Sequence, residues 1–123
     1  MLKIGLMQTS RTTVSDGNTA FSMGSGDMNV FATPAMIALM ENAAMLCVAP
    51  YLVEGNTTVG SQISTTHVKP SSIGSIIEAI AELIEIDGRK LTFQVTAKDN
   101  GQIIGEGKHI RYIVDRERFL NKL

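Results

Sequence analysis

Apolar and polar positions alternate most regularly in the second half of the chain. Apolar residues at 91, 93, 95 and 97 alternate with polar residues at 92, 94, 96 and 98, which predicts a strand with one buried face. Asn100-Gly101 follows, and this pair tolerates the positive φ angles of a tight hairpin turn. Positions 103–114 are therefore predicted to return as the partner strand.

The clearest helix begins at Thr33-Pro34. A Thr N-cap accepts a backbone N–H, and Pro at the first helical position sacrifices no hydrogen bond. The residues up to Pro50 are mostly good helix formers, and they are apolar nearly all round the helix. Such a helix is buried on most sides, so we expect a sheet to wrap it.

The remaining extended segments are less regular. Positions 57–67 are rich in β-branched residues, positions 2–7 resemble an opening strand, and Val14 is assigned to a second short extended piece. The glycines of positions 22–27 predict a loop, and the tail at 116–123 is expected to close with a helical turn.

Positions 75–86 are ambiguous. Glu78, Glu82 and Glu85 recur at helical spacing, yet the segment lies between two turns and pairs naturally with the strand that follows it. We predict a strand, with a helix as the alternative. The chain is thus expected to be a single α+β domain spanning residues 1–123, a length that suits one domain.

Composition and charge narrow the class of protein. Hydrophobic residues make up 44% and charged residues 19% of the chain, which is typical of a globular protein. The formal charge of −1, without a basic cluster, argues against a nucleic-acid binder that works through bulk charge. The longest nearly uncharged stretch contains Glu41 and two prolines, so we expect no membrane span.

Cys47 is the only cysteine. It permits no intrachain disulfide and no cysteine-based metal cluster, and it indicates a reducing cytoplasm. Its apolar neighbours make a core position more plausible than a nucleophile.

Glu41 is the first candidate for chemistry, because it is the only charged side chain between Asp27 and Glu54. Burial would raise the pKa of its carboxyl group toward the range that general acid–base catalysis uses. The alternative is that Glu41 reaches solvent beside Asn42, and the sequence does not decide between the two.

His67 is the second candidate. It shares strand parity with Val59 and Ile63, which would turn its imidazole toward the helix if no bulge intervenes. A carboxylate could then orient the ring. A satisfied core histidine or a solvent-exposed strand end is the competing interpretation, and the one we favour on this pattern alone.

Gly60 and Thr33 are weaker candidates. Glycine inside a strand marks a bulge or a close ligand approach, and the Gly60 N–H could serve an oxyanion, although plain packing is equally plausible. Thr33 would have its hydroxyl engaged if it caps the helix, which we favour over a nucleophile. Thr33 and Glu41 are eight residues apart, or ~12 Å of helical rise. They could act on one acyl group only if the helix start bends or two subunits share a site.

His109 and Arg111 alternate on one face of the last predicted strand. A strand-borne Arg can hold a phosphate or a carboxylate, but we favour a solvated face. The sequence has no Gly-rich phosphate loop, no metal-ligand cluster and no Ser nucleophile elbow.

In combination these segments resemble a known family. The chain is similar over nearly its full length to hotdog-fold thioesterases, in the group that resembles fluoroacetyl-CoA thioesterase. The matching segments occur in this order: Val30-Phe-Ala-Thr-Pro34, Met40-Glu41, Thr58-Val-Gly60, His67, Gly74, Asp87-Gly-Arg89, Phe93 and Gly105-Glu-Gly-Lys-His109-Ile-Arg111.

The resemblance implies a hotdog fold, with an antiparallel sheet of about five strands around one long helix, a homodimer, and an acyl-CoA site near the subunit interface. It favours the strand at 75–86. It implies that Thr33, Glu41 and His67 are catalytic, that the Gly60 N–H stabilises an oxyanion, and that Glu41 acts as nucleophile or as base for water. No cofactor is expected beyond the coenzyme A of the substrate.

Lys69, Gly74 and Arg111 are our candidate substrate-binding residues. The family's fluoroacetyl-specific member is associated with an aromatic lid before the helix, whereas positions 22–28 hold no aromatic residue. We therefore expect a general short or medium acyl-CoA as substrate. A non-catalytic acyl-CoA or small-ligand binding module, or a hydratase, would use the same fold.

Overall fold

The computed structural model describes all 123 residues. One antiparallel sheet has the strand order β1-β3-β4-β5-β2. Its strands are β1 (Met7–Thr13), β2 (Asn56–Thr65), β3 (Ile76–Asp87), β4 (Lys90–Asp99) and β5 (Gln102–Asp115). The helices are α1 (Ala20–Met23), α2 (Thr33–Val48) and α3 (Arg116–Asn121), with a 3-10 turn at Ala49–Tyr51. The predicted α+β class, with five strands wrapped on one long helix, is confirmed.

Helix α2 provides the core of the molecule. Its buried residues pack against the inward residues of β3 and β4, which include Leu83 and Phe93. Met36 and Met40 are fully buried among them, as is Cys47 almost completely, so the prediction of a core cysteine is confirmed. Thr33–Tyr51 is the one helical segment long and apolar enough to span a membrane by those two criteria. Of its most apolar 18 residues, 33% are buried, and these pack against the sheet.

The hairpins follow the predicted turn chemistry. Asn100 and Gly101 have φ angles of 51° and 77°, which is the left-handed pair of a type I′ turn. Positions 75–86 form β3, so the strand is confirmed and the helical alternative is wrong. The reason is that Ile77 and Leu83 alternate with Glu78 along this segment, which places apolar residues toward α2 and carboxylates away from it.

The first third of the chain differs from prediction. The opening strand starts at Met7 rather than ending there, after a turn at Gly5. Part of the predicted loop at 22–27 is helical, because the Thr19 side chain accepts from the Ser22 N–H and caps α1. The loop proper begins at Gly24.

Two glycines of β5 let the end of β2 approach the helix closely. A side chain at Gly105 would overlap the Thr66 carbonyl oxygen and come within 2.9 Å of Met36 Sδ. A side chain at Gly107 would overlap the Ser64 carbonyl oxygen. Because both positions lack a Cβ, the chain around Ser64 and Thr66, where β2 ends, can lie close to β5 and to Met36 of α2. His67, two residues after the end of β2, is thereby brought to the first turn of the helix.

Candidate active site

Thr33 and His67 are in direct contact. Thr33 Oγ1 lies 2.7 Å from His67 Nδ1, which is a short hydrogen bond between a helix start and the segment after β2. Thr33 is exposed, and the two residues line a cleft of about 290 Å³ together with Phe31 and Lys69. A hydroxyl and an imidazole at this distance can exchange a proton.

The helix begins one residue earlier than the capping prediction assumes. Ala32, not Thr33, is the N-cap, and no side chain caps the helix. The approach to the helix is held by two backbone bonds instead: Phe31 N–H donates to Ser71 O at 2.9 Å and Ala32 N–H donates to Asn18 O at 3.0 Å. Our preferred assignment of Thr33 as a cap is therefore wrong, because these contacts set the helix start and leave its hydroxyl free for His67.

His67 sits partly buried against Phe31, whose ring meets it edge-on at 6.5 Å between centroids. Burial lowers the pKa of His67 below its ordinary value, and a backbone contact at Lys69 opposes this shift. The imidazole is consequently neutral at pH 7. Its Nε2 atom is buried and has no hydrogen-bond partner within the chain.

Glu41 belongs to a second group of residues, further along α2. The position that a Cβ on Gly60 would occupy lies 3.0 Å from Glu41 Oε2, 3.2 Å from His109 Cε1 and 3.3 Å from Arg111 Nη1. The Glu41 carboxylate forms no hydrogen bond and no ion pair within the chain. It is half-buried, between the buried and the solvent-exposed positions weighed from sequence, and it makes no hydrogen bond or ion pair with His67.

Gly60 adjoins a β-bulge. The pairing of β2 with β5 shifts between Gly60 and Gln62, so that Thr58 and Gly60 share the inner face with Ile63. The bulge means that Val59 does not lie on the face of Ile63, and the parity argument for His67 fails there. Of the alternatives weighed for Gly60, a bulge is present beside it, and its role toward an oxyanion stays a prediction.

Arg111 is held by a buried network. Its Nε donates to Thr58 Oγ1 at 2.8 Å, its Nη2 donates to Thr58 O at 3.0 Å, and its Nη1 contacts His109 Nε2 at 3.1 Å. Burial lowers the pKa of Arg111, while the nearby Glu41 carboxylate raises it. A guanidinium remains charged under any such shift.

The favoured solvated face for His109 and Arg111 is wrong, because they are only 1% and 7% exposed. If β4 and β5 paired residue by residue from the Asn100-Gly101 turn without a bulge, His109 would lie opposite Thr92 on the polar face. One extra residue in β5 shifts the register after Ala97, so His109 lies opposite Phe93 instead. That bulge turns both polar residues inward.

The other predicted binding residues are Lys69 and Gly74, of which the second does not line the cleft. Lys69 lines the cleft of Thr33 and His67, and its Nζ donates to Gln102 Oε1. Gly74 lies in a turn with φ +98°, and its N–H donates to Val14 O at 2.8 Å. A role for either residue in binding remains a prediction.

Sequence reasoning missed Thr58 and the Gln62 carbonyl as supports of the site. Thr58 is part of the Thr58-Val-Gly60 segment, yet its hydroxyl had no visible partner in the sequence. No group of three His, Cys, Asp or Glu side chains is placed to hold a metal ion. The largest cleft, about 460 Å³, lies around Thr92 and Lys108 and contains none of the predicted site residues.

One family of known proteins resembles this chain over most of its length. The family model described as fluoroacetyl-CoA-specific thioesterase matches residues 14–117. A fluoroacetyl-CoA thioesterase from Streptantibioticus cattleyicolor is 38% identical over 94 residues, which cover 76% of this chain and 68% of that protein.

Solved structures of a fluoroacetyl-CoA thioesterase are similar throughout. One has a TM-score of 0.92 at 31% identity and covers 99% of this chain and 95% of its own. A variant of such an enzyme in complex with fluoroacetate and CoA has a TM-score of 0.89 at 31% identity, covering 96% and 99%. A hot-dog-like protein from Thermanaerovibrio acidaminovorans, 18% identical, covers 97% and 88% with a TM-score of 0.87 and shares the fold alone.

Proposed function

The chain belongs to the fluoroacetyl-CoA-specific thioesterase family, and from this premise we propose that it hydrolyses a short or medium acyl-CoA thioester to the carboxylate and free CoA. It is a thioester hydrolase of the hotdog fold. The observation that carries the assignment to particular residues is the 2.7 Å hydrogen bond between Thr33 Oγ1 and His67 Nδ1 in an open cleft. The carboxylate of Glu41, which is unpaired within the chain, acts as the nucleophile or as the base for water.

The two groups of site residues belong to different subunits of a homodimer. Thr33 and Glu41 are on one helix, eight residues apart, which separates them by ~12 Å along its axis. A single chain cannot bring both side chains to one small acyl group. In a two-fold dimer, Thr33 and His67 of one protomer meet Glu41 of the partner subunit, and two equivalent sites result.

Glu41 drives the chemical step in one of two ways. Either its carboxylate attacks the thioester carbon and expels the CoA thiolate, and water then hydrolyses the resulting anhydride, or it removes a proton from a water that attacks the thioester carbon directly. In the second route the C–S bond breaks and His67 relays the proton to the departing sulfur. Thr33 orients the imidazole, and the Gly60 N–H stabilises the negative oxygen of the intermediate.

The substrate is bound at its two ends by different residues. Lys69 lines the cleft, which supports a contact with a phosphate of CoA, and Arg111 lies beside Gly60, which supports a contact at the acyl end. Gly74 lies in the turn before β3 and would contribute through its backbone. The absence of an aromatic residue over positions 22–28 favours a general short or medium acyl group over fluoroacetyl. We place the enzyme in the cytoplasm.

The test is release of free thiol from a panel of acyl-CoAs, fluoroacetyl-CoA included, with Glu41→Gln as the inactive variant. Glu54→Gln is the matched control, because Glu54 is an exposed carboxylate outside the site. Thiol release that is lost only in Glu41→Gln supports the proposal. If no acyl-CoA of the panel releases thiol while acyl-CoA binding is intact, the protein would instead be a non-catalytic binding module.

The shared site has its own test. His67→Ala and Glu41→Gln proteins are each expected to be nearly inactive, but a heterodimer of the two contains one site with both residues intact. After subunit exchange in an equal mixture, about a quarter of wild-type activity should return if dimers form at random. No recovery, in a mixture shown to contain heterodimers, would contradict a site built from two subunits.

A further inference from the structure

We propose that His109 is the positioning residue that aims Arg111 at the reacting end of the substrate. It is 1% exposed, and no step of the reaction described above uses it. The inference rests on the proposed thioesterase function, because it concerns the acyl end of that same site. It identifies a specific use for a buried histidine that would otherwise be core filling.

The tautomer of His109 follows from its two neighbours. Nδ1 lies 2.8 Å from Gln62 O, and Nε2 lies 3.1 Å from Arg111 Nη1. A carbonyl can only accept a hydrogen bond and a guanidinium can only donate. Nδ1 therefore carries the proton and Nε2 presents its lone pair. His109 is neutral in this arrangement, since a protonated ring would have no acceptor to offer.

The network assigns three of the five N–H donors of Arg111. Two donate to Thr58, through Nε and Nη2, and one donates from Nη1 to His109. Two N–H groups remain free, one on Nη1 and one on Nη2. Nη1, which carries one free donor, is also the guanidinium atom nearest the space beside Gly60: a Cβ there would lie 3.3 Å from Nη1 and 3.0 Å from Glu41 Oε2. The free donor is thus held next to the proposed nucleophile or base.

Two anchors at different edges of the guanidinium are needed to hold its plane. Thr58 binds the Nε and Nη2 edge, whereas His109 binds Nη1. Without His109, the side chain keeps its position near Thr58 but loses the acceptor that directs Nη1. The Gln62 carbonyl fixes His109 in turn, so the bulge of β2 contributes to the orientation of Arg111.

Substitutions at His109 separate positioning from packing. His109→Leu fills a similar volume without an acceptor, and we expect kcat/KM to fall about tenfold or more, the usual effect of losing a hydrogen bond to a charged group. His109→Gln presents an amide donor and acceptor, so it should stay within about threefold of wild type. Equal losses in both variants, or none in either, would overturn the proposal.

Coupling to Arg111 is the second readout. If His109 acts through Arg111, then His109→Leu should cost much less in an Arg111→Lys background than in the wild-type chain. A purely structural histidine would cost the same in both backgrounds. Independent, additive losses count against the positioning role.

A measurement without turnover separates this inference from the proposed function. Nitrogen-15 chemical shifts of His109 at pH 7 should show Nδ1 protonated and Nε2 unprotonated, which is the tautomer the network requires. Detection of the opposite tautomer, or of a protonated ring, would refute the Arg111 contact even in an active enzyme. A wild-type chain that shows the expected tautomer but hydrolyses no acyl-CoA would refute the thioesterase proposal instead, and with it the catalytic purpose of the contact.

Discussion

Replacing Gly60 by alanine is the most direct perturbation of the site, because one methyl group would meet three functional side chains at once. The new Cβ would lie 3.0 Å from Glu41 Oε2, 3.2 Å from His109 Cε1 and 3.3 Å from Arg111 Nη1. Arg111 has hydrogen bonds to Thr58 and His109, so its side chain cannot easily move away from the added methyl group. The unpaired Glu41 carboxylate is free to move, and we expect it to be the group displaced.

The size of the effect follows from these contacts. Overpacking by a methyl group costs about 1–3 kcal/mol, and the mobility of Glu41 places the cost to stability near 1 kcal/mol. The cost to catalysis is larger, because displacing a reacting group by ~1 Å can reduce turnover about 100-fold. We expect Gly60→Ala to lower kcat by about 10- to 100-fold, with a decrease of only a few degrees in Tm.

The assay compares Gly60→Ala with Gly17→Ala, in acyl-CoA hydrolysis and in thermal unfolding. Gly17 is a matched control, since a Cβ there meets nothing within 4 Å and its φ is not in the left-handed region. Gly17→Ala should be close to wild type in both measurements. Wild-type turnover in Gly60→Ala would refute the placement of Glu41 and Arg111 beside this glycine.

Four other predictions concern single side chains. Thr33→Ala should lower kcat about tenfold through loss of its bond to His67, while Thr33→Ser keeps the hydroxyl and most of the activity; equal rates in the two variants would contradict this role. Since burial lowers the pKa of His67, kcat/KM should be flat near pH 7 and decline on an acid limb centred below about pH 6.5; a limb centred above that value is inconsistent with a buried neutral imidazole. The pKa of His109 is also lowered, by burial first and by the Arg111 charge, with Glu41 and a backbone bond to Gln62 opposing. The unfolded chain therefore takes up this proton at higher pH than the folded one, so the free energy of unfolding should decline as pH falls below about 6.5, and less so in His109→Leu; identical pH dependence in the two proteins would rule out this contribution. Burial raises the pKa of the Cys47 thiol, so a thiol reagent should modify Cys47 only as fast as the protein opens, and rapid labelling under native conditions would contradict its core position.

Much of the fold could be predicted because its signals are local. The alternation in β4 and the Asn100-Gly101 turn identify the central hairpin, and the all-round apolar pattern identifies α2 as the core helix. The beginning of the chain was harder. There β1 begins where an opening strand was expected to end, and α1 depends on one Thr19 cap in a glycine-rich stretch.

The site was only partly predictable, because single inserted residues decide which way its side chains face. A bulge in β5 turns His109 and Arg111 inward, and another in β2 sets the faces on either side of Ser61. Neither bulge has a signal in the alternation of apolar and polar residues. The hydroxyl of Thr33 is likewise free only because distant backbone groups hold the helix start, which no local capping rule describes.

The backbone contacts that hold the entry to α2 have an implication for engineering. Phe31 and Ala32 are tied to Ser71 and Asn18, from segments on either side of the helix in sequence, and an isolated bridge joins Val30 to Ser72. Exchanging either loop for that of a homologue would leave every proposed catalytic side chain unchanged, yet would alter the distance between Thr33 and His67. Loop chimeras are therefore a route to retuning turnover and selectivity independently of the reacting groups.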